Sequence, residues 1–236
     1  MLLLFDIDGT LLTTGGAGIH AMEAAGVELF GPGFSGRRVE YAGRLDPLII
    51  DDLLVTNGLE VTEDRRAALR NGYRRHLPRI LTERQAARTC PGVPTLIERL
   101  AAEPEAILAL LTGNYEETGR IKLEASGLSP ERFTVRVWGD ASPHHPPRRD
   151  HLPPVGIRLA QERLGRHRDG WNVVVIGDTP HDVACARAHG LRSLGVGTGQ
   201  YSVEALLESG ADLAVPTLED TERIVAWMMQ SAEKGG

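Results

Sequence analysis

The sequence predicts an α/β fold with a parallel sheet flanked by helices, and three observations carry that expectation. Short apolar runs recur along the chain, helix-patterned segments alternate with them, and the runs end at small or acidic residues. Runs of about 4–8 apolar residues suit strands buried on both faces. Strand–helix alternation then implies right-handed crossovers between parallel strands.

Taken in order, the first run is Leu2–Phe5, closed by Asp6. Ala106–Leu111 runs into Thr112, Phe133–Trp138 into Gly139-Asp140, and Val173–Ile176 into Gly177-Asp178, while Ser193–Val196 is a fifth candidate. Helical segments are expected at Pro94–Ala102, Tyr115–Ser126, Pro153–Leu164 and Pro180–His189.

The rhythm breaks after the first strand, where about 75 residues separate Gly15 from Gly92. Within that interval Leu45, Leu48, Ile49 and Leu53 share one face of a helix, a stripe that reads as the insertion's own core. Asp46-Pro47 reads as an N-cap with proline at the first helical position. Thr62 reads as the cap of a further helix, with Glu63 and Asp64 at its positive end. Residues 15–88 are therefore expected to form a helical cap domain inserted after the first strand. Residues 1–14 and 89–236 form the α/β catalytic core, with Gly15-Gly16-Ala17-Gly18 and Pro91-Gly92 as hinges. No internal repeat stands out, and the Pro/His/Arg stretch 143–154 is the nearest approach to low complexity.

The 236 residues are enough for such a core without disulfide or metal staples. Hydrophobic residues make up 42% and charged residues 25%, which excludes a disordered or fibrous chain. Lys+Arg 26 against Asp+Glu 32 leaves a net charge of −6, so no basic footprint for nucleic acid exists in the overall balance. The cations are nearly all arginine, with lysine only at Lys122 and Lys234. Cys90 and Cys185 lie 95 residues apart, a pattern of reduced thiols rather than a disulfide framework. No run approaches the roughly 20 apolar residues of a membrane span, and no basic segment precedes Leu2 as in a secretory leader. The expected setting is cytoplasmic, with no membrane partner and a monomer or homodimer as the assembly.

Ligands of open parallel sheets bind beyond the carboxyl ends of the strands. Asp6 and Asp8, Thr112, and Asp178 and Asp182 all fall there. Converging carboxylates repel one another, and hard oxygen donors suit Mg²⁺. Two acids in Asp6-Ile7-Asp8 can divide the work of nucleophile and general acid/base. Thr112-Gly113-Asn114, at the start of a helix, can hold a phosphate. Taken alone, an Asp-x-Asp before glycine is a common turn, and Gly177-Asp178 a common helix start. The three clusters in succession point to phosphoryl transfer.

Asp6-Ile7-Asp8-Gly9-Thr10-Leu11, Leu111-Thr112-Gly113-Asn114 and Gly177-Asp178-Thr179-Pro180-His181-Asp182 resemble the first, second and fourth motifs of the haloacid dehalogenase superfamily of hydrolases. The helical insertion resembles the family's C1 cap, and the layout is similar to phosphoglycolate phosphatase-like enzymes. The resemblance implies a Mg²⁺-dependent phosphatase acting on a small-molecule phosphate ester. In it Asp6 forms an aspartyl-phosphate, and Asp8 protonates the leaving alcohol and then activates water. It also implies that Asp6, Asp8 (through its carbonyl) and Asp178 hold the metal, with Asp182 placed on a coordinating water or its neighbours. Thr112 and the amide of Gly113, with Asn114, bind the phosphoryl group.

The third motif departs from the family's pattern. A lysine is usual at a set distance before a Leu-Gly helix end, yet counting back from Leu164-Gly165 reaches His151. Arg149 is the substitute chosen for this role, with Arg148 and His151 as competitors. Lys122 matches a family lysine without catalytic duty. A phosphomutase of the beta-phosphoglucomutase type and a non-catalytic relative are the alternatives. Gly195–Gly199 reads as a structural turn, His144 and His145 as a solvated loop, Cys185 as a core residue, and Arg44 as either a substrate contact or a salt bridge.

Overall fold

The computed structural model describes residues 1–165 and 171–230. Its elements, in chain order, begin with β1 (Leu2–Phe5), β2 (Leu12–Thr13), α1 (Ala17–Phe30), α2 (Asp46–Thr56), α3 (Glu63–Arg84) and β3 (Arg88–Thr89). The chain continues through α4 (Val93–Ala101), β4 (Ile107–Leu111), α5 (Glu116–Ala125), β5 (Val135–Val137) and α6 (Leu152–Leu164). It ends with β6 (Val173–Gly177), α7 (Pro180–Arg187), β7 (Arg192–Val196), α8 (Val203–Glu208), β8 (Leu213–Val215) and α9 (Thr221–Met229).

Six strands form one sheet in the order β5-β4-β1-β6-β7-β8, parallel throughout. Strand β1 is central, paired with β4 on one side and β6 on the other, and its four residues are fully buried. Side chains alternate across the sheet with a period of two. Leu3, Phe5, Leu110, Val174 and Ile176 accordingly share one core with α4 and α9, through Leu96, Ile97, Leu100, Ile224 and Met228. Leu2, Leu4, Ala109, Leu111 and Val175 face the other way, onto α6 and α7 through Leu152, Val155, Cys185 and Ala186. Cys185 is thus the core residue it was read to be.

Three features went beyond the sequence reading. Strand β8 and the antiparallel pair β2–β3 were not anticipated, because two or three residues carry no readable period. The pair is nonetheless informative: Leu12 lies opposite Thr89 and Thr13 opposite Arg88, so the chain leaves for residues 14–87 and returns at one place. Within the Pro/His/Arg stretch Arg149–His151 form a 3-10 turn, and α6 begins at Leu152, one residue before the expected Pro153.

Helices α1, α2 and α3 pack on one another around a core of their own that includes Ala21, Met22, Ile50, Leu54, Leu69, Tyr73 and Leu77. Two details of α2 correct the sequence reading. The stripe Leu45–Leu53 divides: Ile49 and Leu53 join the helical core, while Leu45 and Leu48 pack against the sheet. The helix starts against the sheet and runs away from it, so one face meets two cores. Asp46 is not the N-cap either. Leu45 holds that position in extended conformation, and Asp46 lies in the first turn. The Asp46 carboxylate instead accepts the Tyr115 amide at 2.9 Å, satisfying an open donor at the start of α5. Thr62 does cap α3, accepting from the Arg65 amide at 3.3 Å.

Candidate active site

The site is built from three neighbouring strand ends, β4, β1 and β6. Beyond β1 the chain turns tightly, with the amides of Leu11 and Leu12 donating to the Ile7 carbonyl, which brings Asp6 and Asp8 to the sheet's carboxyl edge. Asp178 follows β6, and room for its carboxylate depends on two glycines. A Cβ at Gly9 would lie 2.2 Å from Asp178 Oδ2, and one at Gly199 would lie 1.7 Å away. Gly195 and Val196, expected in a turn, end β7 instead, and only Gly197–Gly199 form the turn, which also borders the acid. It is tied down where the Thr198 hydroxyl donates to the Gly9 carbonyl. Thr10 donates to Asp178 Oδ1 at 3.3 Å.

Asp6, Asp178 and Asp182 are all buried, with carboxylate oxygens within 4.8 Å of one another. Burial pushes the Asp6 carboxyl up to about 6, and Asp182 and Asp8 add to the rise while Arg149 opposes it. Burial raises Asp178 further, to about 8, reinforced by Asp6 and Asp182. Acids pushed up by burial and by one another mark a place short of positive charge. The donor set is all oxygen, which is the chemistry of a hard divalent cation, so these residues fit a Mg²⁺. Asp182 is otherwise engaged, since its Oδ2 accepts the Thr179 amide at 3.1 Å and the Thr179 hydroxyl at 2.7 Å.

The three competitors for the motif cation separate clearly. Arg149 is buried, with Nη2 at 3.1 Å from Asp6 Oδ1 and 2.5 Å from Asp182 Oδ1, and Nη1 donating to the Gly43 carbonyl at 3.1 Å. Burial works against its charge, but Asp182 and Asp6 outweigh that and hold it firmly protonated. Arg148 points into solvent and pairs with Asp150. His151 Nδ1 meets the Ser142 hydroxyl at 2.8 Å, and the exposed His144 ring packs edge-on against it. His145 is exposed as well.

On the β4 side, Thr112 is fully buried and accepts from Asn114 Nδ2 at 2.9 Å. The same amide group donates to Asp8 Oδ2 at 2.8 Å, so Asn114 links Thr112 to Asp8. The Gly113 carbonyl accepts the Asp46 amide at 2.7 Å, joining this loop to the start of α2.

Lys122 is the residue that the sequence reading undervalued. Its Nζ lies 2.6 Å from Asp8 Oδ2 and 2.5 Å from Asn114 Oδ1, and the side chain is 6% exposed. Burial disfavours its charge, yet Asp8, Tyr73 and Asp46 together raise its pKa. A compositional signal was available, since Lys122 is one of two lysines in an arginine-rich chain. The other, Lys234, lies outside the described residues.

A cavity of about 210 Å³ opens above these groups. The helical unit supplies much of its wall, including Ile19, Met22, Tyr41, Arg44, Ile49 and Tyr73. Arg44 makes the expected salt bridge, to Asp52 at 2.6 Å, and also lines the cavity. Asp46 is buried in the same wall, and burial pushes its carboxyl up to about 6 while Lys122 opposes the rise.

Known proteins resemble this chain in sequence and in fold. The chain is 28% identical over 225 residues to the "probable phosphatase IndB" of Dickeya dadantii, covering 93% of this chain and 90% of that protein. It is 25% identical to a phosphoglycolate phosphatase of Vibrio parahaemolyticus, covering 95% of this chain and 96% of the relative. Among solved structures, CbbY of Rhodobacter sphaeroides, determined in complex with phosphate, superposes with a TM-score of 0.71 at 22% identity, covering 93% of this chain and 95% of that one. A hydrolase from Pseudomonas syringae superposes equally well, at 0.71 and 21% identity, over 97% of this chain and 99% of the other. The sequence profile of haloacid dehalogenase-like hydrolases matches residues 3–187, which include all three motifs, and the chain belongs to that family.

Proposed function

We propose that this protein is a phosphatase that hydrolyses a small phosphomonoester through an aspartyl-phosphate on Asp6. The observation that carries the reading is the convergence of Asp6, Asp8, Thr112 and Asp178 at three adjacent strand ends, joined by Arg149 from the 3-10 turn before α6, all facing one cavity. The named activities of the relatives support the reaction class.

In this reading the Asp6 carboxylate attacks phosphorus and the ester oxygen leaves. Arg149 neutralises Asp6 and approaching phosphoryl oxygens, a role its planar fork fills in place of the usual lysine. Asp8 gives a proton to the leaving oxygen and later takes one from the water that attacks the acyl phosphate. Lys122 and Asn114 both hold Asp8 Oδ2, so the other oxygen is free to face the reacting atoms. Thr112, the Gly113 amide and Asn114 bind the phosphoryl oxygens. Asp6, the Asp8 carbonyl and Asp178 would hold a Mg²⁺, with Asp182 orienting its neighbours. Such an ion shields the charge between Asp6 and the phosphoryl group.

Residues 15–88 act as a cap in this reading, closing the cavity and selecting the substrate. Cys90 and Cys185 are free and buried, which suits the reducing cytoplasm. Among the described residues no helix is long and apolar enough to cross a membrane.

The test is phosphate release from a panel of small phosphate esters, with Mg²⁺ and then with EDTA. Metal-dependent release that disappears in Asp6→Asn is expected. Silence on every ester, from protein that is folded and Mg²⁺-bound, would overturn the reading. A transfer of phosphate between positions of a sugar, without release to water, would replace it with the phosphomutase.

A further inference from the structure

One polar group in the cavity wall has no partner and no part in the chemistry above. Tyr73, on α3, is wholly buried, and its hydroxyl makes no hydrogen bond. The Thr118 hydroxyl is near enough to hydrogen-bond the phenol once ionised, but its own proton is directed at Asp46 and the Tyr115 carbonyl, each at 3.3 Å. A buried hydroxyl left unsatisfied is destabilising, so an oxygen that supplied the missing bond would bind with advantage.

The neighbours define what that oxygen can be. A Cβ built on Gly18 would stand 3.2 Å from Tyr73 Oη and 3.4 Å from Lys122 Nζ, so both heads converge on the stretch of α1 where the glycine leaves space. An ammonium has three donors. Lys122 uses two, on Asp8 and Asn114. Asp46 lines the same cavity and receives the Tyr115 amide and Thr118 hydroxyl at one oxygen, Oδ2, while no described residue donates to the other. Donors and an acceptor side by side match a hydroxyl, which both gives and takes a proton.

Charge argues the same way. The cavity wall holds three cations, and each is already paired: Arg44 with Asp52, Lys122 with Asp8, and Arg149 with Asp6 and Asp182. Four carboxylates, Asp6, Asp8, Asp46 and Asp178, line the same wall. No uncommitted positive charge remains to draw a second anion beside the phosphoryl group.

We propose that Tyr73, with Lys122 and Asp46, forms a leaving-group subsite that reads a neutral hydroxyl on a short polyol phosphate and disfavours a carboxylate there. The subsite deepens the phosphatase reading and rests on it for the identity of the reacting end. Tyr73 is its specificity-determining residue.

The test compares glycerol 1-phosphate, propyl phosphate and phosphoglycolate with wild type and Tyr73→Phe, by kcat/KM with Mg²⁺. Calorimetric binding of the same esters to Asp6→Asn, with and without Tyr73→Phe, runs alongside. The phenylalanine removes an oxygen that makes no hydrogen bond to any described residue, and matching melting temperatures verify that the fold is kept. Wild type is expected to prefer glycerol 1-phosphate over propyl phosphate by about tenfold, the scale of one buried hydrogen bond, and to rank phosphoglycolate below it. Tyr73→Phe is expected to collapse the preference to within about twofold. A preference that is absent, that survives Tyr73→Phe, or that favours phosphoglycolate overturns the subsite and leaves the phosphatase reading standing. If no ester is hydrolysed but Asp6→Asn still binds with a Tyr73-dependent hydroxyl preference, the subsite stands and the phosphatase reading falls. If neither hydrolysis nor preference appears, both fall.

Discussion

Replacing Asp178 by asparagine should make the metal-free protein more stable, although it removes a residue placed at the centre of the site. The Asp178 carboxyl is pushed from 3.8 up to about 8 by burial and by Asp6 and Asp182. A raised folded-state pKa means that the native protein holds the proton more tightly than the unfolded chain. Stability from this group is therefore full below about pH 4 and is lost progressively until pH passes about 8. At about 1.4 kcal/mol per pKa unit, the destabilisation relative to a neutral side chain is under about 2 kcal/mol at pH 5 and about 4 kcal/mol at pH 7. For a chain of this size that corresponds to a rise in Tm of roughly 8–16 °C for Asp178→Asn at pH 7. Asparagine keeps the Oδ1 that accepts from Thr10, so packing is retained. The assay is thermal denaturation in EDTA at pH 5 and pH 7, then with Mg²⁺. Wild type should gain stability from Mg²⁺ by mass action, and the variant should gain far less. A variant no more stable than wild type at pH 7 in EDTA would refute the account of Asp178 as a carboxylate held at a deficit of positive charge.

Other substitutions test the remaining geometry. Arg149→Met leaves Asp6 and Asp182 without their shared partner and should cost about 3–5 kcal/mol in chemical denaturation at pH 7, with turnover down at least about a hundredfold. Gly199→Ala places a methyl 1.7 Å from Asp178 Oδ2 and should abolish the stabilisation by Mg²⁺ in a melting experiment, while a Gly197→Ala control, whose nearest contact is 3.2 Å, retains it. Asp46→Ala strips the Tyr115 amide of its acceptor and the Thr118 hydroxyl of one of two, and should lower stability by about 1–3 kcal/mol, read by urea denaturation.

The core was legible in the sequence because its signals are local. A fully apolar Leu2–Phe5 suits a strand covered on both faces, and the acids and hydroxyl after β1, β4 and β6 mark the carboxyl edge where parallel sheets bind ligands. Asp6, Asp8, Thr112 and Asp178 could be singled out on that basis alone. Arg149 was the favoured cation, but Arg148 and His151 lie so near in sequence that only the turn of the chain separates them. A 3-10 turn sends Arg149 inward to Asp6 and Asp182 and leaves Arg148 in solvent.

Contacts between distant segments were illegible for a physical reason. Lys122 meets Asp8 across 114 positions, Asp46 meets Tyr115 across 69, and Gly199 borders Asp178 only because β7 lies beside β6. No period or cap signal encodes such meetings, since each depends on where a whole helix or strand is docked. The order of residues determined which side chains stand at the strand ends and that a helical segment interrupts the core. Tertiary packing decided which of those side chains share a cation, which are held by a neighbour from the helical unit, and which, like the Tyr73 hydroxyl, are buried with a bond still to make. Local chemistry is written along the chain, whereas burial and charge balance exist only once remote segments close around the same volume.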